Sequence, residues 1–196
     1  MRALASMIAV GFLGVSAMSS AGCSDFETDP PPKPVSNWTI QDARAFGEFD
    51  LYWLGQTYQG LGLTLVDRST DGDGVHHASF SYGELSFSGG ESGSWGSPLE
   101  IDIQPHCGYS PEEFLSYPEY VDRDRTSIQI RGVNGYLNQY DGDWNYVDLW
   151  SVTSAIHIGT HKTDFDIEQA AADLLSIAQD SGAPLKPLPP PISTEC

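Results

Sequence analysis

Basic residues are scarce in this chain. Lysine and arginine together number 9 against 27 aspartates and glutamates in 196 residues, and the formal net charge is −18. Lys33, Lys162 and Lys186 are the only lysines. So few cations cannot assemble the positive surface of a nucleic-acid binder, and they disfavour anionic lipid headgroups as well. An acidic surface suits solubility, cations or a basic partner, and its plainest explanation is a well-solvated exported domain. Apolar runs long enough to span a bilayer are missing after the N-terminal segment. Internal repeats are missing too.

Recognisable catalytic and metal signatures are equally sparse. There is no G-x-S-x-G nucleophile turn, and Ser94 in Gly93-Ser94-Trp95-Gly96 has no partner implied by the sequence. His157 and His161 have a spacing that serves two metal ligands on a helix, but a β-branched strand surrounds His157 and no Glu lies between them. His76-His77 follow a turn and would need distant help to hold a metal. In Asp67 to Gly74, Asp67, Ser69, Asp71 and Gly72 match the start of a calcium loop, yet Ala78 stands where the bidentate Glu belongs. A hairpin turn explains the same residues. The sequence therefore implies no metal and no cofactor.

Cysteines are few, and their places are informative. Arg2 followed by apolar Ala3 to Ala17 and the small residues Ser19-Ser20-Ala21-Gly22 makes residues 1–22 an export signal. Cys23 follows directly, and Ser20-Ala21-Gly22-Cys23 resembles a lipobox, in which the Cys becomes the acylated N-terminus of a lipoprotein. Ser20 departs from the Leu, Val or Ile usual there. Ordinary cleavage after Ala21 and release as a soluble secreted protein is the alternative. Residues 23–36 would then be the anchor and a stiff spacer, with Pro30-Pro31-Pro32 and Pro34 among acidic residues. Cys107 and Cys196 remain as an even pair in an oxidising compartment; an intramolecular disulfide, two inert thiols and pairing between molecules all stay open.

Residues 37–182 read as one domain. Thr39 with Asp42 opens a short helix from Ile40 to Phe46. Period-two alternation follows at Leu61, Leu63 and Leu65, at Ala78, Phe80 and Tyr82, and at Leu99, Ile101 and Ile103, whose partners Glu100, Asp102 and Gln104 face away. Ser88 to Pro98 reads as a Gly/Ser-rich loop, and Ser110-Pro111-Glu112-Glu113 as a helix start. Four more strands are expected at Ser127 to Arg131, Val133 to Tyr140, Trp144 to Leu149 and Val152 to Gly159. In the last, Val152, Ile156 and Ile158 share a face while Thr153, Ala155 and His157 point the other way. Thr163 with Asp166 caps a long helix ending at Gly182, with Ile167, Ala170, Ala171, Leu174, Leu175 and Ala178 as its apolar stripe. Residues 183–196 form a Pro-rich tail. The expected class is α+β, a mostly antiparallel sheet with one long C-terminal helix on a face. The expected core is Leu61, Leu63, Leu99, Ile101, Ile103, Ile128, Ile130, Ile156, Ile158, Leu174 and Leu175.

Tyr52-Trp53-Leu54-Gly55, then Tyr58, Gly60-Leu61, Leu63-Thr64, Tyr82-Gly83, Pro98-Leu99-Glu100-Ile101 and Arg131-Gly132-Val133, resemble a family of uncharacterised bacterial secreted lipoproteins. The likeness covers most of Asp50 to Pro191. It implies no catalytic residues, and the cysteines such proteins often carry around Ser88 to Pro98 are absent here. The second half is also similar to small strand-hairpin-strand-helix modules of membrane-tethered bacterial regulators.

The expected function is that of a non-catalytic lipoprotein of the cell envelope, facing outside the cytoplasm, which binds or senses an envelope protein or glycan. A spacer or subunit of an envelope complex, and a hydrolase with an unrecognised site, are the rival expectations. The hairpin closed at Asp141-Gly142-Asp143 is the best candidate surface. A three-residue loop there sets Tyr140 opposite Trp144, Asn138 opposite Tyr146 and Tyr136 opposite Asp148, and collects Tyr136, Tyr140, Trp144, Tyr146 and Trp150 on one face. Flat rings beside amides and carboxylates suit a sugar; aromatic pairs that merely favour strands explain them equally well.

The export signal and Cys23 predict an acylated N-terminus. Mass spectrometry of the mature protein should find an acyl glycerol on Cys23, and Cys23→Ser should send the protein into the medium. An unmodified N-terminus at Gly22 would refute the anchor.

Overall fold

The computed structural model describes residues 30–72, 74–88, 93–106, 125–139, 144–162, 165–179 and 184–192. The signal segment, Cys23, Cys107, Cys196, Tyr140, the turn at 141–143, the helix start at Ser110 and the cap at Thr163 lie outside those residues.

Helix α1, Ile40–Ala45, begins as its sequence implies. The Thr39 hydroxyl accepts from the Asp42 amide while the Asp42 carboxylate accepts from the Thr39 amide, a reciprocal capping box. Twelve strands follow among the described residues: β1 Tyr52–Trp53, β2 Thr57–Tyr58, β3 Leu61–Thr70, β4 His76–Tyr82, β5 Ser86–Ser88, β6 Ser94–Gly96, β7 Leu99–Pro105, β8 Arg125–Ile130, β9 Val133–Gln139, β10 Asn145–Ser151, β11 Ser154–Thr160 and β12 Leu175–Ser176, with helix α2 at Ile167–Ala172 between the last two. Eight strands make one antiparallel sheet in the order β2-β3-β4-β7-β11-β10-β9-β8.

Because side chains alternate strictly along a strand, one face of this sheet is apolar row by row. Phe80, Ile101, Ile158 and Val147 stand opposite one another in turn, as do Ala78, Ile103, Ile156 and Leu149. All eight are at most 1% exposed. Each large side chain buried in this way contributes roughly 1.5–3 kcal/mol. Gly135 sits at the end of the second row, where a Cβ would come within 2.5 Å of a Leu149 methyl. Helix α2 lies on this apolar face, against β10, β11 and β8, together with Leu51, Trp53 and Leu54.

The α+β assignment and its long C-terminal helix are overturned here. The protein is mostly β, and among the described residues its helices are only α1 and α2, of 6 residues each. Asp166, not Thr163, caps α2 by accepting from the Gln169 amide. The stripe holds through Ile167, Ala170, Ala171 and Leu174, and then the period changes. Leu175 and Ile177 are buried while Ala178 is exposed, because Leu175–Ser176 pairs antiparallel with Tyr52–Trp53. Arg131 explains the early stop. Its guanidinium donates to the carbonyls of Ala172, Leu174 and Lys186, capturing acceptors that a longer helix would use internally. A helix this short has little stability of its own, so these tertiary bonds decide where it ends.

Two other expectations change. The Ser88 to Pro98 segment contains β6, which pairs with β5 and sets Trp95 5.6 Å from Phe87. The Pro-rich residues 184–192 pack onto the sheet's end: Leu188 is buried, the Ser151 hydroxyl donates to the Pro189 carbonyl, and the Val152 amide donates to that of Pro190. The Ile192 amide donates to the Val152 carbonyl in return. Those bonds hold Val152 at φ 48°, a conformation costly for a β-branched residue. Of the expected core, Leu61, Leu63 and Ile128 are only half-buried, and the large buried groups Trp53, Phe80 and Tyr82 belong beside the rest.

Two substitutions probe this arrangement. Leu174→Ala, at a site with no exposure, should lower unfolding stability by about 2–5 kcal/mol. Arg131→Met keeps the stem but deletes the charged donors, and should cost about 1.5–3 kcal/mol. Urea midpoints unchanged by both would mean that neither α2 nor its terminal carbonyls are held as described.

Candidate functional site

The other face of the same sheet is polar, and its rows cross strands that are distant in sequence. Ser79, Asp102, His157, Asp148, Tyr136 and Ser127 form one continuous row across β4, β7, β11, β10, β9 and β8. The next row is Ser81, Glu100, Gly159, Tyr146, Asn138 and Arg125. On the opposite side, Gln104, Ala155 and Trp150 stand abreast. Over these rows opens a cleft of about 220 Å³ lined by His77, Asp102, Gln104, Asp148, Trp150, Ala155 and His157. Ala155 is the small member of its row, and the hollow lies where its neighbours' side chains rise and its own does not.

Asp148 anchors the site. Its two carboxylate oxygens accept separately, from His157 Nδ1 at 2.6 Å and from Asn138 Nδ2 at 2.6 Å. Asp148 is 9% exposed and Asn138 3%, so their bond is shielded from water, while the bond to the more exposed His157 is only partly so. An ionised carboxylate only accepts, which places a hydrogen on His157 Nδ1 and fixes the ring's orientation. Tyr146 supports that ring at 4.5 Å between centroids. The Tyr146 ring can lie flat because its neighbour is Gly159, where a Cβ would approach it to 3.1 Å.

Asp102, on the other side of His157, is in a different position. It accepts no hydrogen bond and makes no ion pair with a described residue. The residue is solvent-exposed where it lines the cleft, while neighbouring protein crowds its carboxyl. That crowding raises its pKa above the ordinary value, and attraction to His157 and His77 only partly offsets the rise. Glu100 is raised as well, first by burial and then by the charge of Asp102, against hydrogen bonds from Ser97 and Ser81. His77 itself reaches Asp71 Oδ2 at 3.2 Å, and Asp71 Oδ1 accepts from the Val75 amide, so the carboxylate of the suspected calcium loop closes a hairpin turn.

The hairpin register is the one a three-residue loop produces. Asn138 stands opposite Tyr146 and Tyr136 opposite Asp148. The structure brings Tyr136, Tyr146 and Trp150 to the polar face, away from α2. Trp144 stacks on Tyr146 with centroids 5.4 Å apart, and Trp150 meets Tyr136 edge-on at 6.1 Å. They do not form one open platform, since Trp150 is 2% exposed and offers the cleft an edge. Tyr140 lies outside the described residues. His157 and His161 separate, the first to Asp148 and the second against Trp144, while His76 turns to Thr70 and Glu48. Among the described residues no group of three or more His, Cys, Asp or Glu is placed to hold a metal. The residues not singled out from sequence are Asp102, Gln104, Asn138, Asp148 and His157 as a unit. Their outward facing was visible in the alternation; the approach of Asp102 and Gln104 to His157 was not, because β7 and β11 are brought together only by the strand order. No family model, no curated protein and no solved structure matches the chain.

The unpaired state of Asp102 has a consequence for stability. A carboxyl whose folded pKa is raised favours folding while protonated, and that contribution is lost as pH rises through the folded value. Charged Asp102 therefore burdens the fold at neutral pH, to an extent that solvent at the cleft mouth moderates. Asp102→Asn should raise the melting temperature at pH 7, and the gain should fade toward about pH 3, where the native side chain is neutral too. A lower melting temperature at pH 7 would show that Asp102 has a stabilising partner.

Proposed function

We propose that the chain is an extracytoplasmic binding protein of the cell envelope, held by a lipid on Cys23, and that the cleft over Asp102, His157 and Asp148 takes a small polar ligand. The observation that carries this reading is the built polar cluster on a sheet face: a His157–Asp148–Asn138 chain beside a carboxylate that the fold leaves without a donor. Asp102 is solvent-exposed beside this network, so its carboxylate is open to a donor that a ligand brings. A volume of about 220 Å³ is below the usual range for drug-sized ligands and suits one sugar ring or one amino-acid-sized molecule. Export, the acidic stiff spacer after Cys23 and the resemblance to secreted lipoproteins agree with a domain displayed outside the cytoplasm.

Hydrolysis is a second reading, favoured by the Asp148–His157 bond, since a carboxylate that orients an imidazole in this way is how a general base is held.

The two are separable. A panel of sugars, amino acids, amines and short peptides should contain compounds that raise the melting temperature and quench the fluorescence of Trp150, with His157→Gln weakening the response. Binding without product formation supports the first reading and product released in proportion to time the second. No thermal shift and no turnover across the panel would reject the cleft as the functional site.

A further inference from the structure

Resting on the reading of the cleft as a binding site, we propose that its ligand is a small organic amine whose ammonium group docks on Asp102, with its carbon skeleton lying over Ala155 beside Trp150. Four features of the cleft converge on that chemistry. Asp102 is the one lining carboxylate with no donor among the described residues, whereas both oxygens of Asp148 are already engaged by His157 and Asn138. An ammonium brings the hydrogen-bond donors that Asp102 has from no described residue, and adds a charge closer than those of His157 and His77. The neighbouring row then changes character within one residue spacing: Ala155 offers a small apolar surface next to the carboxylate, bordered by the edge of Trp150, and the Gln104 amide offers a donor and an acceptor at its end. A charged head, a short apolar span and a polar end describe an amino sugar, a diamine or a similar molecule.

The competing cations fit less well. A metal ion needs several oxygen or nitrogen ligands converging on one point, and no group of three candidates exists among the described residues. A single carboxylate beside an apolar surface is enough for an ammonium. The surrounding charge helps as well, since a chain of net charge −18 raises the local concentration of cations around a concave acidic site. That same charge attracts any cation weakly, so specificity has to be shown against it.

The test uses the folded full-length mature chain in about 0.15 M salt, where loose surface attraction is screened. Isothermal titration is run with glucosamine and putrescine, with glucose and butanediol as their neutral counterparts, and with calcium and zinc chlorides. The amines should bind saturably with one site per chain and the neutral counterparts should not. Asp102→Asn should weaken amine binding about tenfold or more, the loss expected of a charge-assisted bond, while the protein remains folded with an undiminished melting temperature. Ala155→Leu, which fills the hollow without touching a charge, should also abolish binding. Glu168→Gln, on the exposed first turn of α2, should change nothing. Equal losses in Glu168→Gln and Asp102→Asn would mean non-specific attraction and overturn the proposal. Saturable binding of neutral sugars or of a metal, without the amines, would overturn the amine assignment and leave the cleft reading standing. Absence of binding by the amines, the neutral counterparts and the metals alike would overturn the amine assignment, and would remove the cleft reading itself if the broader panel of sugars, amino acids, amines and peptides also gave no response.

Discussion

Unbroken antiparallel register across β4, β7, β11, β10 and β9 is the constraint on which the rest of this structure depends. Side chains alternate with period two, so a slip of one residue anywhere along that ladder would carry Asp102 or Asp148 into the core and expose Ile101 or Val147. The apolar rows exclude any one-residue slip, because it would expose Phe80, Ile101, Ile103, Ile156, Ile158, Val147 and Leu149, all now buried. The polar rows on the reverse face are then positioned by the core behind them. The site is held by a sheet rather than by loops, and the placing of its groups is correspondingly rigid.

Two aspartates in one row have been given different circumstances by that arrangement. Asp148 is deeply set and doubly hydrogen-bonded, and its charge is accounted for within the protein. Asp102, two strands away with His157 between them, has crowding without donors. Environment, rather than residue type, separates a structural carboxylate from one available to a ligand. The imidazole between them is oriented by the first and faces the field of the second.

The ends of the sheet are secured by the chain's later segments. Arg131, in the left-handed region at φ 50° beside Gly132, turns β8 into β9 and carries its guanidinium to the carbonyls that end α2 and to the Pro-rich segment. That segment in turn bonds to both the amide and the carbonyl of Val152 at the neighbouring turn. Turn, helix end and proline-rich segment thus support one another, and none is stable as an isolated piece.

Local patterns determined much of this protein from sequence alone: the capping box at Thr39 and Asp42, the alternation that sends Leu99, Ile101 and Ile103 inward and Glu100, Asp102 and Gln104 outward, and the existence of the β9–β10 hairpin, whose register a two-residue loop at Asp141-Gly142 would have shifted by one. Each depends on residues near one another in the chain, through backbone geometry that needs no distant partner. The length of α2 was not legible, because an apolar stripe at helical spacing continues through Leu175. What ended the helix was β12 pairing with β1 and a guanidinium from Arg131, contacts from remote segments that no local period encodes. The same holds for the candidate site. Outward-facing Asp102, His157 and Asp148 could be read strand by strand, and the tight β10–β11 hairpin pairs His157 with Asp148, but only the strand order, which sets β7 beside β11, brings Asp102 to them. That order is chosen by non-local burial of the apolar face, and so it belongs to the tertiary structure.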